Sequence, residues 1–338
     1  MEKIGIVGFP NVGKTTFFNI LTKANKEVAP YPFTTRGKNV GKAILEDPFI
    51  LEIGEKINAK EIRNATTEII DVAGIIEGAS RGEGLGNEFL SYIRECEVLI
   101  FILRAFKNPD IPTPLNEINP LKEYQVLLSE LYLSDLQKIE KFEQKFSKDK
   151  TKEGIEKYNF ILELKNKLEK GEKFFDKEFG LLSGKERIVV LNTDGNRDFL
   201  KWVDKFDERV YPCPLKIYEE LEGMEEKEEM ESFLKKEGNY SPSDILWEAF
   251  KKLGYIIFYT VKGGIVSAFP VKIGTKAYEA AGKVHSDIQK GFIKAEVVDL
   301  QNFLNYPSWS LLKEKGLLRI EGRDYIIKDR EIIEFKFS

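Results

Sequence analysis

The stretch Gly8-Phe9-Pro10-Asn11-Val12-Gly13-Lys14-Thr15 decides how the rest of the chain is read. An apolar run, Ile4 to Val7, precedes it, and Thr16-Phe17-Phe18-Asn19-Ile20-Leu21 follows with helix-like character. Strand, glycine-rich turn and helix form the setting in which the spacing G-x-x-x-x-G-K-[ST] has a physical meaning. The glycines let the backbone curl so that successive N–H groups face an anion, and the helix N-terminus adds partial positive charge. Asn11, Val12, Gly13, Lys14, Thr15 and Thr16 are therefore the expected seat of a nucleoside triphosphate. Lys14 supplies a point charge for the β- and γ-phosphates, and the Thr15 hydroxyl a ligand for Mg²⁺. A surface loop of the same spelling is the plainer alternative, and the flanking strand and helix argue against it.

Length and composition agree with this setting. The chain has 338 residues, enough for two or three domains with proper cores. It is 42% apolar and 32% charged with a net charge of −4, the balance of an ordinary globular protein. That charge argues neither for nor against a nucleic-acid partner and leaves room for a local basic face; no DNA partner is expected. Cys96 and Cys213 sit in apolar surroundings without a C-x-x-C spacing, so a buried, reduced pair is expected rather than a disulfide or metal site. No apolar run approaches the roughly 20 residues that span a bilayer. The first strand begins within a few residues of Met1, so no targeting segment is expected and the reading is cytoplasmic.

Downstream, Val28 to Gly37 carries two prolines and reads as a loop whose Thr34-Thr35 pair offers hydroxyls to the phosphate site. Lys42–Leu45 reads as a strand and Pro48–Ile57 as a helix. Thr66 to Asp71 is an apolar strand ending on a carboxylate, followed by Val72-Ala73-Gly74. In that place a D-x-x-G completes a phosphate site: Asp71 holds Mg²⁺ and the Gly74 N–H meets the γ-phosphate. The glycine-rich run Glu77–Asn87 then reads as a segment ordered by that phosphate. Val98–Leu103 and Arg187–Asn192 have the continuous apolar character of strands covered on both faces. Between them Leu127, Leu131, Ile139, Ile161, Leu164 and Leu168 recur at helical spacing, with a turn near Lys148–Thr151: two antiparallel helices. The acidic run Glu219–Glu231 reads as a solvated helix face, and Pro242–Leu253 as a helix. The last part reads β-β-α-β, helical turns, β-β, with strands at Tyr255–Val261, Ile265–Pro270, Phe292–Val298, Leu317–Ile320, Tyr325–Ile327 and Ile332–Phe337.

Taken together, the first motif, Tyr31-Pro-Phe-Thr-Thr35, Asp71-Val-Ala-Gly74 and Gly78–Asn87 resemble the Obg-like translation-factor NTPases. Lys216-Ile-Tyr-Glu-Glu-Leu221 and the C-terminal block, with Ile273-Gly-Thr-Lys276, Ala280-Ala-Gly282, His285-Ser-Asp287 and Gly291–Glu296, resemble their YchF branch. The resemblance implies an α/β P-loop NTPase G domain with a predominantly parallel sheet. It adds an inserted α-helical hairpin domain and a small α+β, ubiquitin-like TGS domain. The expected domains are 1–113 with 186–252 (nucleotide-binding), 114–185 (hairpin) and 253–338 (TGS-like). It further implies ATP hydrolysis in preference to GTP, Mg²⁺ dependence, and association with the ribosome or its RNA.

Carried over by position, Thr15, Thr35 and Asp71 hold the metal, and Lys14, Thr35 and Gly74 serve catalysis. Asn11 matches an asparagine that helps hold K⁺ in related NTPases. Ile75 stands where many GTPases place the glutamine that orients the attacking water, so intrinsic turnover is expected to be slow. Phe101 stands where the family often has a histidine, and the chain's only histidine is His285. Where GTP-specific relatives have N-K-x-D and the YchF pattern has glutamate last, this chain reads Asn192-Thr193-Asp194-Gly195. Asp194 is one residue off and expected to turn away. That leaves Asn192 and the backbone near Leu215 as candidate readers of the adenine amino group. A GTPase of the same architecture, and a nucleotide-gated RNA- or ribosome-binding scaffold with negligible turnover, remain the alternatives.

Overall fold

A computed structural model of the chain describes residues 2–23, 38–72, 86–113, 115–172, 176 and 179–338. In chain order these residues form β1 (Lys3–Val7), α1 (Lys14–Thr22), β2 (Lys38–Ile44), α2 (Pro48–Ile57), β3 (Glu61–Arg63) and β4 (Thr66–Val72). Then come α3 (Gly86–Arg94), β5 (Cys96–Arg104), α4 (Pro120–Phe146), α5 (Lys152–Glu169), β6 (Glu186–Asn192) and α6 (Leu200–Val203). β7 (Val210–Cys213), α7 (Leu215–Glu220), α8 (Lys227–Lys236), α9 (Pro242–Lys252), β8 (Tyr255–Lys262) and β9 (Ile265–Lys272) follow. The chain ends with α10 (Ala277–Val284), α11 (Ser286–Lys290), β10 (Phe292–Asp299), α12 (Leu300–Asn305), α13 (Trp309–Glu314), β11 (Arg319–Glu321) and β12 (Glu331–Phe337).

Contacts divide the chain into two units, Met1–Ala43 with Glu68–Ala249, and Ile44–Thr67 with Phe250–Ser338. The first holds a six-stranded sheet in the order β2-β4-β1-β5-β6-β7. β1 pairs in parallel with β4 and β5, β5 with β6, and β6 with β7. The run Val98–Leu103 is buried along its length, as a parallel strand covered on both faces requires. Each Ile, Leu or Phe so buried contributes about 1.5–3 kcal/mol relative to exposure. β1 and β4 both end beside the motif residues, which brings Thr15 and Asp71 together although 56 residues separate them.

The helical pair belongs to this first unit. α4 starts on Asn119, whose side chain accepts the Lys122 N–H, with Pro120 in the first turn; α5 starts on Thr151, which accepts from Gly154. Ile139, Ile161, Leu164 and Leu168 pack with Phe179 and Leu181 between the helices. Lower on α4, the buried Asp135 carboxylate accepts the N–H groups of Leu182 (2.9 and 2.8 Å to its two oxygens) and Ser183 (2.7 Å). Arg94 at the end of α3 lies 3.7 Å from the same carboxylate and donates to Ser134 Oγ and the Gly180 carbonyl.

The second unit is built on a sheet in the order β11-β10-β12-β8-β9-β3. Phe258, Val271, Phe292, Ala295, Val297, Ile333 and Phe335 face Ala277, Ala280 and Ala281 of α10 in one cluster. α2 packs against β9, β3 pairs in parallel with β9, and Asp47 before α2 accepts the Tyr259 hydroxyl at 2.5 Å.

The division departs from the expected domains in two ways. Residues 44–67, expected in the nucleotide-binding domain, sit in the second unit, because β3 and α2 find their partners on β9. Residues 114–185, expected as a separate domain, group with the first unit, which Asp135 and Arg94 fasten to α3 and to the approach to β6. Tyr325–Ile327, expected as a strand, makes only a single bridge, Lys276 to Ile326. There the Tyr325 hydroxyl and the Lys328 N–H turn to the buried Glu331 carboxylate, which holds the segment as a loop.

Candidate functional site

Gly13 closes the turn before α1 with φ 106°, a left-handed conformation that favours glycine. Space demands glycine as well: a Cβ there would stand 2.5 Å from Asn192 Nδ2. Among the described residues no side chain caps α1. The N–H groups of its first turn, which have no intrahelical partner, are left for a ligand. Lys14, 7% exposed, donates to the Phe9 carbonyl at 2.7 Å, so its ammonium is held by the motif's own backbone. Burial pulls its pKa down to about 8, against an opposing pull from Asp71. Asp71 is itself pushed up by burial, opposed by the Thr15 hydrogen bond, Lys14 and Asn39.

Thr15 Oγ1 donates to Asp71 Oδ2 at 2.9 Å, while the buried Asp71 Oδ1 has no hydrogen-bond partner among the described residues. A hydroxyl beside a buried carboxylate with an unused oxygen is a donor set that fits a hard divalent cation retaining several waters. The loop from Val28 to Gly37 with Thr34 and Thr35, Gly74, Ile75 and residues 77–85 of the glycine-rich run lie outside the described residues.

A cavity of about 760 Å³ opens beside α1. Asn11, Gly13, Lys14, Thr15 and Thr16 line it, together with Asn192–Asp194, Leu215–Ile217, and Phe106, Lys107, Asn108, Asp110, Ile111 and Pro112. The sequence-expected residues fare differently within it. Asn11 is exposed at φ 62°. Val12 does not line the cavity; its side chain is in the core and its carbonyl accepts Asn192 Nδ2 at 2.9 Å. Asn192 Oδ1 accepts the Leu215 N–H at 3.2 Å. The two groups expected to read adenine are therefore bonded to each other: Asn192 braces the phosphate turn against the start of α7, with one Nδ2 hydrogen left over.

Asp194, expected to turn away, does line the cavity, and its Oδ2 accepts the Lys107 N–H at 3.0 Å. Gly195 is at φ 82°, where residues with a Cβ are strained, and a Cβ would stand 2.6 Å from Ile217 Cδ1, so a side chain at that position would require Ile217 to move. Asn239 ties the loop down through Thr193 Oγ1 and the Gly195 carbonyl.

Two other expectations concern groups away from the cavity. Phe101 is fully buried and meets Tyr124 edge-on, with ring centroids 5.5 Å apart. His285 is on the surface of the second unit, where Nδ1 accepts the Asp287 N–H and caps α11. Neither lines the cavity. Both cysteines are buried and free, with burial raising both thiols, Cys96 to about 12. The segment 106–112 was missed in the sequence; its only signal there was a cluster of Asn, Pro and Asp after a buried strand. Among the described residues no helix is long and apolar enough to cross a membrane.

Against known proteins, the family model YchF-GTPase_C, described as a protein of unknown function (DUF933), matches residues 255–338. The model MMR_HSR1, described as a 50S ribosome-binding GTPase, matches residues 3–130. The chain is 35% identical to the ribosome-binding ATPase YchF of Buchnera aphidicola and 34% identical to that of Pasteurella multocida, covering 99% of both chains in each pair. The solved structure of the Schizosaccharomyces pombe YchF GTPase superposes with a TM-score of 0.82 at 27% identity, over 99% of this chain and 97% of that one.

Proposed function

The chain belongs to the YchF family, and from that membership and the form of its cavity we propose that it is a switch protein. In this reading it binds ATP with Mg²⁺, hydrolyses it slowly, and acts in the cytoplasm on the ribosome or its RNA. The observation that carries the base preference is Gly195: the position where a guanine-reading carboxylate is expected holds a residue with no side chain, at φ 82°.

The phosphates take the N–H groups of the first turn of α1, and Lys14 exchanges its bond to the Phe9 carbonyl for one to them. Thr15 and Asp71 would hold Mg²⁺, with Thr35 as a further ligand. When bound, the ion neutralises charge on the β- and γ-phosphate oxygens. The Gly74 N–H would meet the γ-phosphate, and Ile75 offers no polar group to the attacking water, hence the slow rate. Exposed Asn11 is the residue on which stimulation by K⁺ over Na⁺ would depend.

One observation favours GTP instead: Asp194 brings a carboxylate to the cavity wall, although one of its oxygens already accepts a backbone N–H. Competition of ATP and GTP against a fluorescent nucleotide separates the readings. ATP is expected to displace the probe at the lower concentration; preferential displacement by GTP would sink the ATP assignment. Absence of phosphate release with Mg²⁺, K⁺ and ribosomes present would leave a nucleotide-gated scaffold.

A further inference from the structure

Arg104, at the end of β5, is 1% exposed. Among the described residues its guanidinium forms no direct ion pair, although the charges of Asp194 and of buried Glu123, whose carboxylate accepts the Arg104 backbone N–H at 3.0 Å, act on it from further off. It donates to backbone carbonyls: Phe106 (3.4 Å), Asn108 (2.9 Å), Ile111 (2.9 Å) and Pro112 (2.9 Å). The guanidinium carbon lies 4.5 Å from the centroid of the Phe106 ring. A buried cation carries a heavy desolvation cost, and the visible consequence of burying this one is the shape of the segment 106–112. That segment supplies a large part of the cavity wall that the phosphate-binding turn does not. Its other edge is fastened by the Lys107 N–H to Asp194.

We propose that Arg104 is a positioning residue for the nucleoside. By drawing four carbonyls inward it fixes the segment in the form that receives base and ribose, so it sets affinity for the nucleoside and not for the phosphates. The inference rests on the reading of the cavity as a nucleotide site. The physical ground is preorganisation: a segment already in its bound form loses little freedom on binding, and one released from its anchor must be ordered each time. Lysine cannot replace the guanidinium here, because a single ammonium has neither the fork nor the reach to serve carbonyls on four residues.

The test measures binding of Mg·ATP and of inorganic tripolyphosphate by calorimetry to the full chain, to Arg104→Lys and to Pro109→Gly. Pro109 is exposed and does not line the cavity, so its replacement loosens the segment without touching ligand or core. Arg104→Lys is expected to weaken ATP about tenfold or more while tripolyphosphate changes by less than about twofold. Pro109→Gly should show the same split at about two- to fivefold. Equal loss of both ligands, or ATP binding unchanged, would overturn the proposal; if Arg104→Lys does not fold, the split in Pro109→Gly decides alone. A native chain that binds tripolyphosphate no more weakly than ATP would instead remove the nucleotide reading itself.

Discussion

Burial holds the Lys14 ammonium at about 8, against an ordinary 10.5. The difference costs the fold about 3 kcal/mol at neutral pH. Between those two values the unfolded chain binds more protons at this position than the folded one, so the contribution of Lys14 to stability improves as pH rises from about 8 to 10.5. Triphosphate affinity runs the other way, since it needs the charge. Lys14→Met is therefore expected to unfold at higher urea than the native chain at pH 7, by about 1–2 kcal/mol after loss of the bond to Phe9. That gap should close as pH rises toward 10, and a gap that does not change with pH would refute the assignment. In the native chain, ligand binding at pH 8.5 should take up protons, read as a heat that varies with buffer ionisation enthalpy. Lys14, Thr15 and Asp71 were legible because local spacing fixes them. Asn192 lines the cavity as expected, but its bonding was not legible, because spacing cannot tell that its amide faces Val12 and Leu215. Arg104 directly follows the apolar run Val98–Leu103, and nothing in the chain's order shows that four later carbonyls turn back to it.

At the scale of elements, long periodic runs were the readable ones: β5, β6, α4 and α5 lie where their apolar pattern puts them. β3 has three residues with no buried member, and β7 is four residues with a proline. Their identity comes from distant pairing with β9 and β6, which no local pattern carries. The joint at Asp135 is of the same kind, a polar residue on the buried face of α4 that answers N–H groups 47 and 48 residues away. Asparagine there would turn an NH₂ group toward donors and leave Arg94 without its charge partner. Asp135→Asn is expected to cost about 3 kcal/mol in chemical unfolding, while ATP affinity, whose residues lie elsewhere, stays within about twofold of the native chain. A loss below about 1 kcal/mol would show that the joint is solvated and dispensable.

For the whole chain, the second unit is assembled from two stretches that lie about 180 residues apart in sequence. The later stretch looks self-sufficient on paper, since it carries β8 to β12 and α10 to α13, and a family model matches residues 255–338 alone. Physically it is incomplete. Ile50 and Ile53 of α2 are fully buried, β9 has β3 as its outer neighbour, and the buried Tyr259 hydroxyl ends on Asp47. Removing 44–67 strips that face of its cover and leaves Tyr259 with an unpaired hydroxyl, a deletion of several buried side chains at about 1.5–3 kcal/mol each. A domain of this size has a margin of only about 5–15 kcal/mol. The isolated fragment 250–338 is therefore expected to keep helical circular dichroism, bind an apolar dye, and melt without a sharp transition. Joining 44–67 to it through a flexible linker should restore a cooperative melt and abolish dye binding. A sharp transition in the bare fragment would show that the α10 side of the sheet alone suffices, and that the stretch 44–67 is attached to the unit without building it.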